Sequence, residues 1–200
     1  IFTGNVGIGT TSPDEKLEVG NGNILVKSSN NGGGDAKNNL ILFDTDTTAS
    51  SGQGIGSVQF YGSDASGAGA GVKSELKAFY ASDGDSSIMT FSTSDSTTNN
   101  QERMRILANG NVGIGTDDPS APLHVFKSSH PNTMLARFEN PTGEALVEIK
   151  AQNDSLSILQ FADAEDGNVG AIQYSHVDNS MRFKANDTEK MRIDSSGNVG

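Results

Sequence analysis

One short block governs what this chain can fold into. Gly4-Asn5-Val6-Gly7-Ile8-Gly9-Thr10 recurs as Gly110-Asn111-Val112-Gly113-Ile114-Gly115-Thr116 and begins again at Gly197-Asn198-Val199-Gly200. The second and third copies share a lead-in, Glu102-Arg103-Met104-Arg105-Ile106 and Glu189-Lys190-Met191-Arg192-Ile193. The first two share an exit, Ser12-Pro13 before Leu17-Glu18-Val19 and Asp118-Pro119 before Leu123-His124-Val125. Self-similarity with conserved flanks marks a repeat architecture. The chain divides into a first repeat over 1–108 and a second over 109–200, the latter ending inside the start of a third motif copy.

The letters of the block carry a physical meaning. Met-Arg-Ile and Val-Gly-Ile alternate apolar with polar or small residues, which is strand periodicity. Ala108-Asn109-Gly110-Asn111, like Ser195-Ser196-Gly197-Asn198, is turn chemistry that tolerates positive φ. Gly7 and Gly9, or Gly113 and Gly115, leave one strand face bare, so another backbone can approach closely. The proline that follows cannot donate to a ladder and ends the strand. Each block therefore reads as strand, tight turn, glycine-faced strand, stop. A glycine-rich surface loop is the alternative, and the recurrence of the flanking strands argues against it. The structural motif residues are Gly4–Gly9, Met104–Ile106, Gly110–Gly115, Met191–Ile193 and Gly197–Gly200.

This pattern resembles the repeat of long tail-fibre proteins of tailed bacteriophages, which in many cases precedes a C-terminal self-cleaving chaperone domain. Gly54–Tyr61 and Ala171–Phe183 are also similar to segments that precede the motif in such fibres. The resemblance implies an elongated homotrimeric fibre on the virion. Its partners would be other copies of itself, other virion proteins and a host surface glycan or protein. It implies a shaft that presents a receptor-binding tip. Similar repeats occur in bacterial surface proteins, which leaves an extracellular adhesin or stalk as the alternative.

Composition points the same way. Val, Ile, Leu and Phe number 43 of 200 residues, and there is no Trp. That is close to the level at which a charged chain stays disordered. One chain would struggle to offset its conformational entropy, yet its strands are clearly patterned. Oligomerisation with shared or intertwined cores reconciles the two. The net charge of −11, with basic residues scattered, disfavours a nucleic-acid partner and suits a filament that avoids self-association. The absence of Cys excludes disulfides and thiolate metal sites. No apolar run approaches the ~20 residues of a membrane helix, so no membrane insertion is expected. The chain opens inside one motif copy and ends inside another, as an excerpt of a longer polypeptide would.

The predicted fold class is all-β. Strands are expected at Leu17–Val19, Asn23–Lys27, Asn39–Phe43, Ser57–Tyr61, Gly71–Tyr80, Ser87–Ser92 and Arg103–Leu107. The second repeat offers Leu123–Phe126, Thr133–Phe138, Ala145–Lys150, Ser155–Phe161, Gly170–Ser175, Ser180–Lys184 and Lys190–Ile193. Gly56 and Gly170 take equivalent places. Val72, Leu76, Phe79 and Tyr80 also fit helical spacing, but period two and β-favouring aromatics select strand. Polar stretches at Ser28–Lys37, Thr45–Gln53, Gly62–Ala70, Ser82–Ser86 and Thr93–Gln101 read as connections. Gly67, within one of them, is expected to tolerate Ser.

Chemistry is sparse. Asp44 and Asp46, Asp83 and Asp85, and Asp163, Glu165 and Asp166 have spacings that can hold Ca²⁺. No EF-hand or nonapeptide repeat is completed, and Gly32-Gly33-Gly34-Asp35 is only a fragment. These acids read as turn formers. A polysaccharide-depolymerising tailspike would need two acids across a groove, usually with aromatic platforms, so no enzyme is expected. His124, His130 and His176 lack metal-ligand spacing, with His124 expected to face solvent. Tyr61, Tyr80 and Tyr174 could stack on sugars but sit on predicted strands. No catalytic, cofactor-binding or metal residue is assigned, and no cofactor. Period two places Glu102, Met104 and Ile106 on one face, and Glu189, Met191 and Ile193 on its equivalent. The expectation is that the methionines and isoleucines face a shared core, with Arg105 and Arg192 outside.

Overall fold

The computed structural model describes residues 4–20, 22–26, 39–128 and 134–200. Among these are twelve strands and no helix. They are β1 Val6–Ile8, β2 Leu17–Val19, β3 Gly54–Gly62, β4 Gly71–Tyr80, β5 Ser87–Thr93, β6 Gln101–Ile106, β7 Val112–Ile114, β8 Leu123–Val125, β9 Leu156–Phe161, β10 Gly170–Ser175, β11 Ser180–Ala185 and β12 Thr188–Ile193. The chain is all-β. It forms two compact units, Ile1–Leu135 and Ala136–Gly200.

In the first unit β1 and β2 pair parallel as a small sheet. The rest is a six-stranded sheet in sequence order, β3-β4-β5-β6-β7-β8. Its pairings are antiparallel except β7 with β8. Directly opposed residues share a face, and the register builds two apolar rows across the whole sheet. Val58, Leu76, Phe91, Met104, Ile114 and Val125 stand opposite one another, one from each strand. Beside them run Gly56, Ala78, Met89, Ile106, Val112 and Leu123. The other face carries Ser57, Lys77, Thr90, Arg105, Gly113 and His124.

The second unit repeats this logic with four strands, ordered β12-β11-β10-β9 and antiparallel throughout. Leu159, Ile172, Phe183 and Met191 form one apolar row. Ser157, Tyr174, Met181 and Ile193 form the next. The opposite face presents Ile158, Gln173, Arg182 and Arg192.

In both sheets the usual arrangement is inverted. The buried polar residues are Thr90, Ser92, Gln173, Ser175 and Ser180, with Ala171 the one buried hydrophobic side chain of the core among the described residues. Met89, Phe91, Ile114, Leu159 and Ile172, on the apolar faces, are exposed.

Four predicted strands do not form. Asn23–Lys27, Asn39–Phe43, Thr133–Phe138 and Ala145–Lys150 have no ladder partner over their described residues. Lys27 and Thr133 lie outside the described residues, as do His130, Gly32–Asp35 and Ser28–Lys37. The apolar side chains of these segments stand in the open, with Leu40 at 78%, Phe43 at 79% and Leu146 at 82% exposure. Their apolar runs are real, but among the described residues no strand pairs with them. The face assignment of Glu102 and Glu189 is also corrected. A register shift between Phe91 and Ser92 makes Arg103 an extra residue, and the shift between Phe183 and Lys184 does the same for Lys190. Each bulge moves the glutamate to the side of Arg105 or Arg192, away from the methionine.

Candidate functional site

The repeated block folds into a defined module. Leu107 N–H donates to Asn111 O at 2.9 Å and Gly110 N–H to Leu107 O at 2.9 Å, closing the turn between β6 and β7, with Gly110 at φ 86°. The third copy closes the same turn: Asp194 N–H reaches Asn198 O at 2.9 Å and Gly197 N–H reaches Asp194 O at 3.0 Å. Val199 then bridges Ile193, and Gly200 exchanges hydrogen bonds with Arg192.

Beyond β7 the chain crosses directly to the parallel strand β8. Parallel neighbours ordinarily need a dozen or more residues of crossover; here residues 115–122 suffice. Three contacts make this short path stable, and the first copy repeats them. Asn111 Nδ2 donates to Pro119 O at 3.0 Å, and Asn5 Nδ2 to Pro13 O at 2.9 Å. Thr116 Oγ1 accepts Asp118 N–H at 3.2 Å, and Thr10 Oγ1 accepts Ser12 N–H at 3.3 Å. Phe126 N–H donates to Ile114 O at 2.9 Å, and Gly20 N–H to Ile8 O at 2.8 Å. The Asn and Thr of the motif are thus latches. Sequence reading assigned the Asn only to turn chemistry and gave the Thr no role, although their recurrence in both copies was the available signal.

The glycines leave room for the chain's own return. A Cβ on Gly113 would lie 2.6 Å from Thr116 O, and one on Gly7 would lie 2.6 Å from Thr10 O. Gly9 and Gly115 have φ of 76° and 74°, and a side chain there would strike the Gly20 and Phe126 carbonyls. The close backbone approach expected of these positions is made within one chain, on the polar face. Gly67, expected to tolerate Ser, has φ 60° and Ser96 O 3.3 Å from a Cβ. It requires a left-handed backbone, so that expectation is withdrawn.

The bulged lead-in builds a charged clamp. Arg105 donates through Nε and Nη2 to both carboxylate oxygens of Glu102, at 2.6 and 2.8 Å, and through Nη1 to Asp117 O at 2.9 Å. Arg192 repeats the fork on Glu189, at 2.6 and 3.0 Å. Such bidentate pairs fix geometry as well as adding energy. The Glu102 hydrogen bonds raise the Arg105 pKa, and Arg192 holds the Glu189 carboxyl below its ordinary range. Both arginines stand on the face opposite the methionines, each held there by its glutamate. The Arg105 side chain is only 16% exposed. Spacing alone could not reveal the clamp, because the bulge brings position i+3 beside i.

Elsewhere the polar faces are knitted by neutral and ionic contacts. Glu75 accepts from Gln59 Nε2 at 2.6 Å and Asn100 Nδ2 at 2.8 Å, which lowers its pKa, the Asn100 bond most. Asp178 accepts from Ser180 Oγ at 2.8 Å and Arg182 Nη2 at 2.6 Å. Hydrogen bonds from Ser175, Ser180 and Arg182 hold it well below the usual carboxylate range.

The remaining candidates have local partners. Asp46 accepts Thr48 N–H, Asp83 accepts Asp85 and Ser86 N–H, and Asp163 accepts Glu165 and Asp166 N–H. Each is a side-chain-closed turn. Asp44 and Asp46 also accept Gln53 Nε2. Among the described residues no group of three metal-ligating side chains converges. His124 is half-buried and accepts Ser120 N–H through Nδ1 at 3.4 Å. His176 lies 3.0 Å from Ser157 Oγ and packs edge-on against Tyr174. Tyr174 donates to Asn179 Oδ1 at 3.2 Å, while Tyr61 is exposed.

No protein-family model matches the chain, and no curated protein matches it. Its class therefore rests on the fold alone: an all-β protein with sheets of two, six and four strands, joined in sequence by a recurring turn-and-crossover module.

Proposed function

We propose that this chain is a shaft segment of a homotrimeric tail fibre of a tailed bacteriophage, holding a receptor-binding tip for host attachment. One observation carries the reading: the six- and four-stranded sheets each leave an apolar face half-exposed while polar residues fill the buried positions. A single chain gains little from such faces. Three copies that turn them inward gain a common core, and the polar, hydrogen-bonded faces then meet solvent.

The exposed area supports the same reading. The chain exposes 15272 Å², whereas two separate compact bodies of this combined size would expose about 11,000 Å². A surplus of that order falls within the range that obligate oligomers bury. The recurrence of one module at repeat ends, with sheets of different width between, suits a fibre of stacked segments. Nothing in the reading requires catalysis or a cofactor.

Light scattering on the purified segment tests the assembly. The expected mass is three times the 20.9 kDa chain, and a cooperatively melting monomer overturns the proposal. Antibodies raised against the segment test the setting. They should decorate the tail fibres of the source particle in electron micrographs; labelling of a bacterial surface instead overturns the virion assignment.

A further inference from the structure

The two repeats treat one strand differently. In the second unit, β9 precedes β10 and pairs with it antiparallel, Phe161 opposite Gly170 and Leu159 opposite Ile172. The first repeat has the corresponding apolar stretch, Leu40-Ile41-Leu42-Phe43, ahead of β3, and both stretches are followed by an acidic turn. Yet among the described residues Leu40–Phe43 has no ladder partner, and β3 is an edge strand.

The reason is visible at Gly56, the counterpart of Gly170. A Cβ on Gly56 would lie 2.8 Å from Leu42 Cβ. Laterally paired residues hold their Cβ atoms about 4.5–5.5 Å apart. Leu42 therefore sits over the sheet face at Gly56 rather than in a paired position beside it. The connection behind it is pinned. Gln53 Nε2 donates to Asp44 at 3.2 Å and Asp46 at 3.0 Å, and Gln53 exchanges backbone bonds with Tyr80 through Gly52 and its own carbonyl.

Two unmet requirements remain. Among the described residues no strand pairs along the outer edge of the nine-residue β3, and a long apolar edge of this kind invites another strand. Leu40, Ile41 and Phe43 are each more than seven-tenths exposed. We infer that Leu40–Phe43 of one copy pairs antiparallel with the β3 edge of a neighbouring copy, exchanging in trans the strand that the second repeat keeps in cis. The chemistry is strand addition between identical chains. The inference rests on the oligomeric reading above and names the contact that links its copies. The register of the second unit, with Phe43 in the place of Phe161 and Gly56 in that of Gly170, sets Leu42 opposite Ser57 and Leu40 opposite Gln59.

The chain contains no Cys, so paired substitutions report directly. Leu40→Cys with Gln59→Cys, and Leu42→Cys with Ser57→Cys, are oxidised and run on a non-reducing gel, with each single variant as control. Light scattering follows the same samples before oxidation. A trimer whose double variants become covalent trimers, while the single variants do not, supports the exchange. A trimer that stays uncrosslinked, or crosslinks only within one chain, overturns the exchange and leaves the proposed function standing. A monomer before oxidation overturns both.

Discussion

The two units differ in width and agree in construction. The first spreads its apolar rows over six strands and the second over four. Both end in a bulged strand, a bidentate Glu–Arg fork, a glycine turn and a glycine strand or its beginning. The number of strands in a repeat is therefore free, whereas its terminal module is not. The module works through backbone geometry, where one added methyl group collides with a carbonyl. The rows work through apolar area, which any Val, Leu, Met or Phe can supply.

The largest expected effect tests that distinction. Gly113→Val places a side chain against Thr116 O and should cost roughly 3 kcal/mol or more, since neither backbone can give way. Gly167→Ser, with nothing within 4 Å of its Cβ, should leave thermal melting unchanged. Equal tolerance at both would remove the module's privilege.

Next come the rows. Met104→Ala and Met191→Ala should each lower the melting temperature and the recovery of oligomer together. A buried methionine truncated in a shared core costs roughly 2–5 kcal/mol, although Met191 is 39% exposed in the single chain. Hydrogen-exchange mass spectrometry reads the two units separately. If either variant loosens only its own unit and leaves the oligomer intact, that sheet's apolar face is not shared.

A smaller effect separates the two forks. Glu102→Gln should lower the melting temperature by about 3 °C, because Arg105 is mostly covered. Glu189→Gln should do less, because Arg192 and Glu189 are 40% and 36% exposed and water screens them. The reverse order would mean that burial does not set the strength of these clamps.

The smallest concerns acid. The folded pKa of Asp178 lies below its ordinary value of 3.8, held there by Ser175, Ser180 and Arg182, and that of Glu189 lies below 4.5, held by Arg192. A depressed carboxylate stabilises the fold above its unfolded pKa and loses that contribution as pH falls through the folded value. Exchange protection of the second unit should therefore be flat from pH 7 to about 5 and decline below about 4. Asp178→Asn should flatten the decline.

Much of this was legible in the letters. Period two gave Gly71–Tyr80 over a competing helical spacing, and the recurring block marked where turns and strands meet. The limits were physical. Leu40–Phe43 and Ala145–Lys150 are apolar enough for strands, but a strand exists only with a partner, and apolar content does not say which chain supplies one. Glu102 changed faces because a bulge adds a residue to one strand only, a fact that resides in the pairing. The role of Asn111 depends on the Pro119 carbonyl, eight residues away through a crossover whose path no local pattern encodes.

One feature of the module bears on how such chains change over generations. The strand β8 belongs by sequence to the second repeat and by hydrogen bonding to the sheet of the first. A cut at the sequence boundary after residue 108 would split that sheet. A cut beyond Val125 leaves the glycine strand, its crossover and its parallel neighbour intact. Gene segments exchanged at that later point would carry their junction ready-made, so unlike repeats could be recombined without redesigning the joint. A chimaera that swaps everything after Val125 should fold where one that swaps after residue 108 does not.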